Sequence, residues 1–200
     1  MSMASNLINQ IPLKCNDFNQ LYIFIQVFIK IIYNFNVFKE FSMKTLILVR
    51  HAKSDWPENT EDFDRPLAEK GLHDAEKMSH FLKNNNIEID KFFSSPALRA
   101  LTTCEIFNKE YQIEIETIPK LYNASDTNFE NITLGLDDDL NKVAMFSHNN
   151  GISNFANSMS DIMFMFPTCG VAGFQIECDS WSDFHNAKKK LVFFYEPKKI

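Results

Sequence analysis

The sequence predicts a three-layer α/β/α domain over residues 43–200, with helices covering a mostly parallel sheet, preceded by an apolar N-terminal segment over residues 1–42. Three observations carry this reading. Short apolar runs alternate with stretches of helical periodicity from Lys44 onward, the polar and charged groups fall where the runs end, and the last two runs follow one another without a helix between them. At 200 residues the chain has room for one such domain with a substantial core.

The first 42 residues differ in character from the rest. They open polar, MSMASNLINQIPLKCNDFNQ, and continue as LYIFIQVFIKIIYNFNVF, a run of membrane-like length interrupted by Gln26, Lys30, Asn34 and Asn36. A charge at mid-span costs about 2.5 to 3.5 kcal/mol on insertion scales, which the many Ile and Phe residues can offset. No basic n-region or A-x-A site marks a secretory signal. Three expectations follow: a start assigned too early, with Met43 as the true first residue; a docking or amphipathic helix; or an anchor at residues 21–38. No membrane partner is expected unless that last reading holds.

From Lys44 the elements come in order. TLILVR is a continuous apolar run suited to a buried strand. RPLAEKGLHDAEKMSHFLKNN follows as a helix with Leu72, Ala75, Met78 and Leu82 at helical spacing. DKFFSS is a second strand, and Pro96 suits the first turn of the helix PALRALTTCEIFNKEY, whose expected inner face is Leu98, Leu101, Thr102 and Ile106. IEIETI reads as a third strand, Thr127 to Leu136 as a short helix, and KVAMFSHNNG as a fourth strand ending in a polar turn. GISNFANSMSD is a helix, and GVAGFQIEC and KLVFFYE form an antiparallel finish.

Composition excludes several classes of function. The net charge of −6 offers no basic surface to nucleic acid. Cys15, Cys104, Cys169 and Cys178 make no CxxC pair and no disulfide framework, so reduced thiols and a cytoplasmic location are expected. Walker and dinucleotide loops are absent, as are HExxH and the HxxxH spacing of a helical metal pair, so neither a metal nor a cofactor is expected.

In open α/β sheets, ligands sit beyond the carboxyl ends of the parallel strands. Here those ends carry Arg50 and His51 after LILV, Ser94 and Ser95 leading to Arg99 after KFF, and Ser147 and His148 after VAMF. Guanidinium forks match the oxygens of a phosphoryl group, and a neutral imidazole between cations is a nucleophile toward phosphorus. This pattern fits a phosphatase and a phosphate sensor alike.

LVRHAKS resembles the first histidine signature of the histidine phosphatase superfamily, with Ala52 in place of glycine. SSPALRA resembles its second arginine motif and FSHNNG its second histidine motif. DFDRPLAEKG and FPTCGVAGF look most like the short SixA-type phosphohistidine phosphatase branch. The resemblance implies a phosphoglycerate mutase-like fold and metal-independent phosphohydrolysis through a covalent phosphohistidine on His51. It implies that Arg50, Arg99 and His148 complete the phosphate pocket and that Arg65 reaches its rim. The implied substrate is a phosphorylated protein, with a small phosphorylated metabolite as the alternative, and a non-catalytic phosphate-binding protein as a third reading. Larger relatives carry their general acid on a helical insertion for which this chain has little room, and Asp62 is the candidate in its place. A phosphohistidine substrate needs less help, because its leaving imidazole is readily protonated.

Overall fold

The computed structural model describes residues 25–26, 43–163 and 165–200. The chain divides into two compact units, residues 1–40 and residues 41–200. In the first unit only Ile25 and Gln26 are described, both helical and exposed, so the expectations for residues 1–42 otherwise lie outside the described residues. Among the described residues, no helix is long and apolar enough to cross a membrane.

The second unit runs β1 (Met43–Arg50), α1 (Glu69–Asn84), β2 (Lys91–Ser94), α2 (Leu98–Tyr111), β3 (Ile115–Thr117), α3 (Asp126–Leu134), β4 (Lys142–Ser147), α4 (Gly151–Ser158), β5 (Val171–Glu177) and β6 (Lys188–Tyr195), with short 3-10 turns between some of them. The strand order is β3-β2-β4-β1-β5-β6. The first four strands in that order are mutually parallel, β5 is antiparallel to β1, and β6 is antiparallel to β5.

The continuous apolar run of β1 is explained by its central place. Leu46 to Val49 are each 0–1% exposed, because both faces of this strand are covered. Leu46 and Leu48 join Val143, Met145 and Phe174 on one face, under Phe129 of α3 and Ile152 and Phe155 of α4. Ile47 and Val49 join Phe92, Ala144 and Phe146 on the other, under Met78 and Leu82 of α1 and Cys104 and Phe107 of α2. Side chains of this size contribute about 1.5 to 3 kcal/mol each when buried, so the two clusters hold the three layers together.

Two helix faces differ from expectation in part: Ala75, Met78 and Leu82 of α1 and Ile106 of α2 are buried as expected, and the other positions are not. Leu72 is 42% exposed, and Gly71, Asp74, Ala75, Met78 and Leu82 form the inner face of α1. Leu98 is 41% exposed and Leu101 and Thr102 are half-buried, while Arg99, Ala100, Thr103, Cys104 and Phe107 turn inward on α2. The reason is a close approach in the first case and a polar requirement in the second. A Cβ on Gly71 would stand 2.0 Å from the Lys53 carbonyl oxygen, so the helix meets backbone there. In α2 the buried Arg99 and Thr103 serve the end of the sheet, and the apolar Leu98 yields its place to them.

Candidate active site

Register brings the three junctions side by side. Arg50 of β1 pairs with Ser147 of β4, and Ser94 of β2 pairs with Phe146 of β4. The pairing continues one step beyond the strands: the His51 N–H donates to the Ser147 carbonyl at 2.9 Å and the Ser95 N–H to the Phe146 carbonyl at 2.9 Å. Arg50, His51, Asp62, Arg65, Arg99 and His148 therefore line one cavity of about 320 Å³. Lys53 and Ser54 from the loop after β1, and Asn123, Asn149 and Thr168 from three other loops, complete it. The lining holds four cationic side chains, Arg50, Lys53, Arg65 and Arg99, against the single carboxylate of Asp62, so the cavity favours anions.

His51 is buried, and its Nδ1 lies 2.7 Å from the Ala52 carbonyl oxygen. A carbonyl only accepts, so Nδ1 carries the proton and Nε2 keeps its lone pair. Burial lowers the His51 pKa to about 4; the Ala52 carbonyl opposes this, and Arg99, Arg50 and Arg65 add to the lowering. The pKa of His148 is lowered to about 3, by burial first and then by His51 and Arg99. The two rings stand 5.1 Å apart between centroids, and both are neutral at neutral pH. Alanine at position 52 is accommodated without strain, since the non-glycine residues at positive φ are Asn59, Asn86, Gln112, Asn123 and Cys169. The Ala52 side chain is fully buried and its N–H donates to Thr103 Oγ1 at 3.0 Å.

The guanidiniums are held by the protein. Arg50 donates to the Phe166 carbonyl at 2.7 Å. Arg65 donates to the Asp55 carbonyl, to Asp62 Oδ1 at 3.1 Å and to Ser54 Oγ at 2.7 Å, and stacks on Trp56 with 4.1 Å from Cζ to the ring centre. Arg99 donates to the Asp62 carbonyl and, at 2.9 Å, to Asp62 Oδ2, which also accepts from the Tyr122 hydroxyl at 3.0 Å. Arg50 Nε, Arg99 Nε and His148 Nδ1 are buried without a hydrogen-bond partner.

These bonds define the surroundings of Asp62, the expected candidate for general acid. Burial raises its pKa, but the hydrogen bonds from Arg65 and Tyr122 and the charge of Arg99 outweigh burial and hold the carboxyl below its ordinary value. Asp62 thus pairs with Arg65 and Arg99 as their counter-ion, with its side chain 40% exposed at the cavity. His73, His80 and His185 are exposed beside Asp74, Glu110 and Glu130, away from the cavity lining. Cys169 is buried beside the sheet, its N–H donating to the His51 carbonyl at 3.0 Å.

Sequence reasoning gave no role to Thr103, Tyr122 or Ser95. Thr103 Oγ1 accepts from Ala52 N–H and donates to the Arg99 carbonyl at 2.7 Å, tying α2 to the exit of β1. Its position four residues after Arg99 on one helix face was an available signal. Tyr122 packs edge-on against His148 and Phe63, with nothing in its local sequence to announce it.

The architecture is that of the phosphoglycerate mutase-like fold. The model of the Histidine phosphatase superfamily (branch 1) matches residues 46–153, more than half of the chain, and the chain belongs to that superfamily. Membership of that superfamily supports phosphatase activity on a phosphorylated substrate. SixA from Agrobacterium tumefaciens is 25% identical, with a TM-score of 0.67 over 77% of this chain and 98% of that one. The protein histidine phosphatase SixA in complex with tungstate superposes with a TM-score of 0.67 at 20% identity, covering 78% of this chain and 98% of that one. An uncharacterised protein of Mycobacterium leprae is 27% identical over 165 residues, 75% of this chain and all of the relative.

Proposed function

We propose that this phosphatase removes the phosphoryl group from phosphohistidine, on a protein, through a covalent phosphohistidine on His51. The observation that carries the reading is the state of His51: Nδ1–H is committed to the Ala52 carbonyl, and the imidazole stays neutral among three guanidiniums. Its Nε2 lone pair attacks phosphorus, forming the new P–N bond as the bond to the leaving imidazole breaks, and that imidazole takes a proton from solvent; water then attacks phosphorus, the P–Nε2 bond breaks, and inorganic phosphate leaves with the Nε2 lone pair restored. Arg50, Arg99 and His148 bind the phosphoryl oxygens, and their unpartnered nitrogens, Arg50 Nε, Arg99 Nε and His148 Nδ1, are donors awaiting acceptors. Arg65 meets the phosphate at the rim. Every step uses side chains of the cavity and needs no metal.

Two features support phosphohistidine over a phosphate ester. Asp62 is held ionised, and between β2 and β4 only the short β3, α3 and one 3-10 turn follow α2, with no helical insertion to carry another acid. An alkoxide leaving group needs a proton donor, whereas an imidazole is protonated readily near neutral pH. The tungstate bound by the SixA relative is a tetrahedral oxyanion of the kind this cavity suits. The cytoplasm is the proposed location, in keeping with the buried thiols of Cys104 and Cys169. A substrate panel tests the proposal: phosphohistidine peptides are expected to turn over with kcat/KM at least about a hundredfold above sugar phosphates, since general acid help is worth about 10² or more to an ester. Equal or reversed preference would assign the enzyme to small phosphorylated metabolites.

A further inference from the structure

Ser95 carries a hydroxyl that is fully buried and lies 2.8 Å from His148 Nε2. Its place is fixed by backbone: the Ser95 N–H donates to the Phe146 carbonyl at 2.9 Å, and the Ser95 carbonyl accepts from Ser94 Oγ at 2.9 Å. The hydroxyl oxygen also accepts from the Ala97 N–H at 3.3 Å. With that acceptor role filled by a backbone donor, the single Ser95 proton needs an acceptor of its own. Among the described residues, the one at hydrogen-bond distance is His148 Nε2.

The alternative arrangement leaves a buried donor unsatisfied: if Nε2–H donated to Ser95, the hydroxyl proton would be buried with no acceptor. A ring nitrogen's tautomer is set by the bond its other nitrogen makes. We propose that Ser95 is a positioning residue that fixes His148 as the Nδ1–H tautomer, so that a neutral imidazole still presents an N–H to the phosphoryl group. This rests on the reading of His148 as a phosphoryl-binding residue, and it explains why Nδ1 is buried yet unpartnered in the protein.

The test is the ring ¹⁵N spectrum of the full-length chain, with the His148 signals assigned by their loss in His148→Gln. The expected result at pH 7 is a protonated Nδ1 and a bare Nε2, with the Nδ1 proton shifted on adding tungstate. In Ser95→Ala the tautomer balance moves toward Nε2–H and kcat falls about tenfold to a hundredfold, less than for removing a charged tautomer-setting partner. Ser95→Thr, which keeps the hydroxyl, retains both. A wild-type His148 protonated at Nε2, or an unchanged tautomer in Ser95→Ala, overturns the proposal. Should Ser95→Ala fail to fold, the wild-type spectrum decides alone. The expected tautomer in a protein that turns over no phosphohistidine would retire the functional reading and leave the role of Ser95 standing.

Discussion

Asp62 and Arg99 form the pairing on which the site turns at the scale of single residues. Arg99 is almost fully buried, and its charge is answered by a carboxylate that is 40% exposed. In the proposed reaction an incoming phosphoryl group competes with Asp62 for the same guanidinium. The two residues should therefore respond to substitution in opposite senses. Arg99→Ala is expected to lower kcat about 10² to 10³-fold, as for loss of one preorganised donor. Asp62→Asn is expected to tighten inhibition by inorganic phosphate, by up to about tenfold, equivalent to about 1.4 kcal/mol. Inhibition constants for phosphate in both variants check this, and weaker binding in Asp62→Asn would make Asp62 a support for Arg99 instead of its competitor. Nothing in the sequence around Asp62 discloses this pairing. It arises because the loop after β1 folds back on α2 across 37 positions of sequence, and such contacts leave no periodicity to read.

Elements carry the candidate catalytic groups, and their close approaches are where the fold is least forgiving. Gly151 opens α4, three residues after His148, and a Cβ there would stand 1.7 Å from the Ala124 carbonyl oxygen, which is backbone and cannot turn aside. Gly151→Ala is expected to destabilise the domain by about 1 to 3 kcal/mol and to lower activity by shifting the His148 turn. At Gly135, by contrast, the nearest atoms are 3.6 Å or more away, so Gly135→Ala should leave the midpoint almost unchanged. Urea midpoints of the two variants, measured together, check the contrast. The strands were the most legible elements. Leu46 to Val49 announced a strand buried on both faces, and the polar residues after β1, β2 and β4 announced the ligand edge. The helix faces were less legible, because Leu98 and Leu72 are apolar yet exposed, while Arg99 and Thr103 are polar yet buried. Hydrophobic spacing assigns the inner face to apolar residues and misses a helix that turns polar groups inward to serve a site.

For the whole domain, two buried neutral imidazoles make stability depend on pH. An unfolded chain protonates its histidines near pH 6.5, while native His51 and His148 resist protonation down to about pH 4 and about pH 3. Below pH 6.5 the unfolded state binds more protons, so stability falls as pH drops toward those values, by about 1.4 kcal/mol per pH unit for each ring. Denaturant unfolding between pH 7 and pH 5 should show this slope, and His148→Asn should make it shallower. The fold as a whole was legible because its motifs fall in order at strand ends that register then places together, whereas the bonds among Arg65, Asp62 and Tyr122 depend on two loops meeting in space. The central claim is that His51 becomes phosphorylated. Mixing the protein with a labelled phosphoramidate or phosphohistidine donor, quenching in base and mapping the label tests it most directly. Acid-labile, base-stable phosphate on His51, absent from His51→Ala, is the predicted result; no label on a protein whose phosphate binding is unaffected by His51→Ala would contradict it and leave a phosphate-binding protein.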